Sequence, residues 1–69
     1  RNWQPPVNGA DIMNIFGLNE GKMVGILKTF IREGILEGEI DNNRESALKN
    51  LKQKGLDLGL RFAENNLNN

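Results

Sequence analysis

The sequence predicts a small all-α domain of three helices with a long central helix, in an orthogonal or bundle-like arrangement. Apolar side chains recur at helical spacing, and asparagine and glycine stand where helices would begin and end. A chain of 69 residues buries only about 60% of its unfolded surface, which leaves room for one core. We divide the chain into a linker over 1–7, a helical domain over 8–60 and a frayed or disordered tail over 61–69.

The linker over 1–7 is identified by Pro5 and Pro6, whose rings fix φ and favour a stiff, extended connection. Trp3 and Val7 are expected to pack on the core, because a lone indole is more often a packing residue than a ligand contact.

The first helix is predicted over Gly9–Phe16. Asn8 is a preferred N-cap residue, and Asp11 three positions later supplies the carboxylate of a capping box. Gly17 is placed to end the helix in the left-handed conformation. Asn8 and Gly9 could instead form a hairpin turn, but the flanking residues lack the alternation of strands.

The central helix is predicted within 19–38, with Asn19 as its cap and Gly38 as its end. Lys28 and Arg32 fall opposite the apolar stripe. That stripe consists of Met23, Val24, Leu27, Phe30, Ile31 and Ile35.

Gly21, Gly25 and Gly34 lie inside this predicted helix, where each costs roughly 1 kcal/mol relative to alanine. Gly34 falls on the core side, which predicts that another helix crosses closely there. Gly25 falls on the outer side, where the core gives no reason for it.

The third helix is predicted from about Asn43 to Leu58, beginning at a second capping box formed by Asn42 and Glu45. Gly59 is expected to end it, with Leu60 folding back onto the core. Its inner face is predicted to carry Ala47, Leu48, Leu51, Gly55 and Leu58.

The amino-acid composition argues against several classes of function. The chain has no cysteine and no histidine, so the usual zinc ligands and the commonest general base are missing, and a free-standing enzyme is not expected. Nine basic residues balance nine acidic ones, so only a local patch could attract nucleic acid. No membrane span or signal peptide is visible, which predicts a cytoplasmic chain without a membrane partner.

Two charged features are weak candidates for a site. The turn from Gly17 to Lys22 has backbone amides that could hold a phosphate, although Glu20 places a negative charge there. A group of carboxylates could hold Mg²⁺ but matches no EF-hand spacing, so a solvated surface and no metal site are expected. These carboxylates are Glu33, Glu37, Glu39, Asp41 and Glu45.

Lys28 and Arg32 are the more informative pair. Like charges four residues apart on a helix repel each other, and a backbone phosphate would relieve that repulsion. Lys22 and Gly25 lie on the same side of the helix. An ordinary solvated face fits the pattern as well, so the chemistry leaves both interpretations open. Three further lysines could extend a basic surface: Lys49, Lys52 and Lys54.

A series of short strings along residues 3–60 resembles one enzyme family. The strings are Trp-Gln-Pro-Pro-Val-Asn-Gly-Ala-Asp-Ile-Met over 3–13, Phe16-Gly17-Leu18, Gly21, Val24-Gly25, Leu27 and Ile-Leu-Glu-Gly-Glu-Ile over 35–40. They resemble the C-terminal region of CCA-adding tRNA nucleotidyltransferases and related bacterial poly(A) polymerases, in forms with an HD domain before this tail. The chain departs from the family pattern at Glu20, where proline is usual, and at Gly34, where alanine is usual.

The resemblance implies a parent transferase that completes the 3′ CCA end of tRNA from CTP and ATP with Mg²⁺. Its catalytic aspartates would lie in an upstream nucleotidyltransferase domain, so no catalytic residue and no cofactor are expected here. The helical tail would hold the body of the tRNA through its backbone. Lys22, Lys28 and Arg32 are then the candidate RNA-binding residues, with Gly25 allowing close approach.

An alternative is a structural or protein-interaction module. It would dock on the upstream HD domain or on a second copy of the chain through apolar residues outside the main stripes. These residues are Leu36, Leu56, Leu60 and Phe62.

Overall fold

The computed structural model describes residues 3–64 and forms three helices: α1 over Gly9–Phe16, α2 over Lys22–Leu36 and α3 over Arg44–Asp57. This confirms the prediction of a small all-α domain whose central helix is the longest. No strand occurs in the described part of the chain. Within residues 3–64, no helix has both the length and the apolar character needed to cross a membrane.

The bounds of α1 are the predicted ones. The Asp11 amide donates to Asn8 Oδ1 at 2.9 Å, and the Asn8 amide donates to Asp11 Oδ2 at 2.9 Å, which completes the capping box. Gly17 adopts φ 64°, as the prediction of a left-handed end requires. Residues adjacent to the helix therefore define where α1 begins and ends.

The segment before α1 contributes one residue to the core. Val7 is buried beside the capping residue, whereas Trp3 remains 39% exposed, contrary to the expectation that it packs on the core. Val7 and Ile12 occupy the N′ and N4 positions of α1 and are both buried, as in a hydrophobic staple.

α2 begins at Lys22, three residues after the predicted cap Asn19. Gly21 occupies the N-cap position, and no side chain of the described residues bonds to the helix there. The predicted end is confirmed, since Gly38 adopts φ 81° and Glu39 donates to the Gly34 carbonyl at 2.8 Å. The apolar stripe is also confirmed, with three of its six residues buried and three partly buried.

The cap of α3 is Asn43 rather than Asn42. Asn43 Oδ1 accepts from the Ser46 amide at 2.8 Å, so the predicted box with Glu45 does not form. At the other end, Gly59 adopts φ 92° and Leu60 donates to the Gly55 carbonyl at 2.8 Å. This confirms the predicted fold-back of Leu60.

The core lies between all three helices. α1 and α3 run in the same direction, because Asp11 meets Arg44 at their N-terminal ends and Phe16 meets Gly55 nearer their C-terminal ends. Leu58, predicted on the inner face of α3, stays exposed. The buried apolar residues are Val7, Ile12, Phe16, Val24, Leu27, Ile31, Ile40, Ala47 and Leu51.

Two helical glycines make room for buried side chains. A methyl group at Gly55 would overlap the Phe16 ring, so α1 packs on α3 at this point. A methyl group at Gly34 would lie 2.5 Å from Ile40 Cδ1. Gly34 therefore accommodates the chain returning from α2, and the predicted close crossing of another helix is wrong.

The last described residues return to α1. The Ala63 amide donates to the Ile15 carbonyl at 2.8 Å, and the Phe62 and Phe16 rings lie 5.7 Å apart between centroids. In the segment predicted as a frayed or disordered tail, residues 61–64 are therefore non-helical and in contact with α1. Residues 65–69 lie outside the described part.

Candidate nucleic-acid interface

The outer face of α2 is the surface opposite its apolar stripe. Because the stripe packs inward against α1 and α3, the residues on the other side of the helix remain in solvent. All four residues predicted to bind RNA are exposed: Lys22, Gly25, Lys28 and Arg32. At 1.5 Å per residue, Lys22 and Arg32 are about 15 Å apart along the helix axis.

Lys28 lies at the border between α2 and α1, so the prediction that it falls opposite the apolar stripe is wrong. A methyl group at Gly9 would lie 3.8 Å from Lys28 Cδ, so the aliphatic stem of the lysine runs beside the first residue of α1. The residue as a whole stays exposed. This arrangement supports the stem while leaving the ammonium group free to bind an anion.

The cations of this face form no salt bridge with residues 3–64. Among residues 3–64, the salt bridge joins Arg44 to Asp11, and no described carboxylate lies in salt-bridge range of Lys22, Lys28 or Arg32. Glu33 is the acidic residue of α2 and is also exposed. Between Lys22 and Leu36 the helix therefore carries three positive charges and one negative charge.

Gly25 lies in open space. No atom of the described residues would come within 4 Å of a methyl group placed there. A side chain at this position would project from the outer face, so glycine lowers the surface and brings the helix backbone closer to any partner. The core does not require it.

The turn before α2 offers little to a phosphate beyond Lys22. The helix begins without a side-chain cap from the described residues, so its first amides are available. Glu20 is exposed immediately before them and would repel an anion. The first turn of α2 therefore supplies amides with an adverse charge beside them.

The lysines of α3 differ in whether they contact α2, which the helical periodicity of α3 did not predict. Lys54 Nζ lies 5.0 Å from the centroid of the Phe30 ring on α2, a distance at which a cation is attracted to an aromatic face. Lys49 and Lys52 are exposed. Only the packing of α3 on α2 shows which lysine adjoins the α2 surface.

An ion pair that the sequence did not predict joins the beginnings of α1 and α3. Arg44 donates through Nη2 to Asp11 Oδ1 at 3.0 Å, and through Nη1 to Asp11 Oδ2 at 3.1 Å and the Pro6 carbonyl at 3.0 Å. The hydrogen bonds from Arg44 hold the pKa of Asp11 below its usual value, while partial burial opposes the change. Arg44 is thus occupied within the domain and is not a free cation.

The five carboxylates predicted to form a solvated surface are all exposed. Within residues 3–64, no three carboxylates converge into a set that could hold an ion.

Three of the four apolar residues of the alternative hypothesis are exposed, and the fourth is partly buried. Leu36 is 61% exposed, and Leu56 and Phe62 are also exposed, whereas Leu60 packs against the core as the last step of the α3 end. Leu60 is therefore not available for docking.

Comparisons of the sequence and structure with known proteins identify no relative. No protein-family model, no curated protein and no solved structure matches this chain. The function of this chain is therefore inferred from its own residues and from the resemblance of its short strings.

Proposed function

We propose that this chain is the RNA-holding C-terminal domain of a tRNA nucleotidyltransferase of the CCA-adding and poly(A) polymerase family. In this proposal it binds the body of the tRNA through the outer face of α2 and takes no part in the chemistry. Upstream domains of the parent enzyme would bind Mg²⁺, CTP and ATP, in the cytoplasm. The main support is that Lys22, Lys28 and Arg32 are exposed together on α2.

The charge arrangement favours the sugar-phosphate backbone as the ligand. Lysine and arginine contacts to phosphates position an RNA without reading its sequence. Gly25 leaves the centre of the face low, so the helix can approach the backbone closely. A domain that holds many different tRNAs needs contacts of this kind.

The aromatic residues favour a double-helical region of the RNA over a single strand. Proteins that bind single strands stack bases on exposed aromatic rings. Of the described aromatic residues, Trp3 and Phe62 are exposed but do not belong to α2, and the Phe30 ring is partly buried with Lys54 above it. The outer face of α2 therefore suits recognition by shape and backbone, as is usual for RNA helices.

The test is the salt dependence of tRNA binding by the full chain. Changing Lys28→Gln or Arg32→Gln should each weaken binding and reduce the slope of log K against log salt by about 0.7–0.9, the value for one lost phosphate contact. Lys52→Gln, at an exposed lysine of α3, is the matched control and should leave the slope unchanged. Unaltered slopes for both α2 variants would refute the proposal.

A second candidate function is docking on the HD domain or on another copy of the chain. The exposure of Leu36 at the end of α2 favours it, since a large apolar side chain in solvent often marks a contact surface. Leu36→Asp should then abolish self-association or interdomain binding, measured by sedimentation, and leave the salt slope for tRNA unchanged. Normal self-association in this variant would exclude Leu36 from such an interface.

A further inference from the structure

Lys54 extends the basic surface of α2 beyond α2 itself. We propose that its ammonium group is a fourth phosphate contact, so that the RNA helix lies across α2 from its border with α1 to its border with α3. This inference rests on the proposed function, because it adds a contact to the same site.

Lys28 and Lys54 are the two outermost cations of the proposed site. Lys28 lies at the α1 border, where its stem passes Gly9. Lys54 lies at the α3 border, because its Nζ is above the Phe30 ring of α2. At 100° per residue, Arg32 and Lys22 fall between these borders on the outer side of α2. The four positive groups thus follow one another around the helix, with the exposed Glu33 between Lys22 and Phe30.

The Lys54 ammonium group keeps a positive charge that a phosphate can bind. A carboxylate three residues later, Asp57, accepts instead from Gln53 Nε2 at 3.0 Å. No salt bridge to Lys54 is formed by residues 3–64. The Phe30 ring attracts the ammonium group through its face but does not neutralise it.

The Lys54 side chain is held in place before the RNA binds. The residue is half-buried, in contrast to the exposed Lys49 and Lys52 on the same helix. A side chain already restricted by an aromatic ring loses less freedom on binding than one that moves freely in solvent. Of the three α3 lysines, Lys54 is therefore the one suited to the α2 site.

The experiment measures the salt slope of tRNA binding together with unfolding by denaturant. Lys54→Met keeps an unbranched side chain on Phe30 and removes the charge, so the slope should fall by about 0.7–0.9. Lys54→Arg keeps the charge and should restore the slope. Lys52→Met, at an exposed lysine of α3, is the control and should not change it.

The outcomes separate this inference from the proposal on which it rests. If Lys28→Met lowers the slope and Lys54→Met does not, the extension to α3 is wrong and the RNA contact on α2 stands. If Lys54→Met weakens binding only through lower stability, with an unchanged slope, or if Lys52→Met lowers the slope equally, the extension is also overturned. If neither Lys28→Met nor Lys54→Met changes the slope, both ideas fail.

Discussion

Gly55 on α3 and Gly25 on α2 occupy helix interiors that cost about the same, roughly 1 kcal/mol relative to alanine, but their surroundings differ completely. At Gly55, a methyl group would meet the Phe16 ring, with Cε2 at 3.0 Å. At Gly25, a methyl group would meet no atom of residues 3–64 within 4 Å. Packing inside the domain therefore accounts for Gly55, whereas Gly25 must be explained by something outside the domain.

The largest effect is expected at the packed glycine. Gly55→Ala should lower the free energy of unfolding by about 1–3 kcal/mol, because the added methyl overpacks the site against Phe16. Denaturant unfolding measures the loss, and a second change, Phe16→Leu, should recover part of it. An unchanged unfolding free energy would mean that the two helices separate easily, which would end the contrast between the two glycines.

A smaller effect is expected at Gly34, which contacts a loop residue instead of a helix. Gly34→Ala should cost about 1 kcal/mol, because Ile40 Cδ1 lies 2.5 Å from the added methyl and the buried isoleucine must shift. In an Ile40→Val background, which lacks that atom, the cost in denaturant unfolding should be smaller. Equal costs in both backgrounds would argue against this contact as the cause.

Replacing Gly25 is expected to raise the free energy of unfolding, in contrast to replacing Gly55 or Gly34. Gly25→Ala should stabilise the domain by about 0.5–1 kcal/mol, because alanine loses less chain entropy in a helix and nothing in the described residues obstructs its methyl group. If RNA lies against α2, the same change should weaken tRNA binding without altering the salt slope, since no charge is lost. Unchanged tRNA affinity would leave Gly25 without a function.

The smallest effect concerns the ion pair at the beginnings of α1 and α3. Because Arg44 holds the pKa of Asp11 below its usual value near 3.8, the pair contributes stability above that pH and loses it as the pH falls through the lower, folded value. Unfolding measured between neutral pH and about pH 3 should show this loss, and Asp11→Asn should reduce the pH dependence. The effect is expected to be small because the Arg44 side chain is 56% exposed.

Local signals in the sequence predicted much of the fold. The capping box of Asn8 and Asp11 and the left-handed Gly17 placed α1 correctly, since all the groups involved are neighbours along the chain. The same reasoning chose Asn42 over Asn43, because Glu45 three residues after Asn42 fits the capping-box pattern, whereas the structure caps α3 with Asn43. It also placed the start of α2 too early by taking Asn19 as a cap where Gly21 takes that position.

Contacts between distant residues could not be predicted in this way. Asp11 and Arg44 are 33 positions apart, and nothing in the spacing of either residue indicates the other. The position of Lys54 above Phe30 depends on how α3 packs on α2, which helical periodicity does not specify. For the candidate site, the sequence identified the exposed cations of α2 but not which α3 lysine adjoins them.

The two ends of α1 are attached to parts of the chain that are made much later. With eight residues, α1 is shorter than the roughly 12–15 that an isolated helix needs in water. Arg44 contacts its beginning and Ala63 its end, so these two attachments form only after the second half of the domain has been made, whereas its packing on α2 can form earlier. We therefore expect the two ends of α1 to become fully secured late in folding.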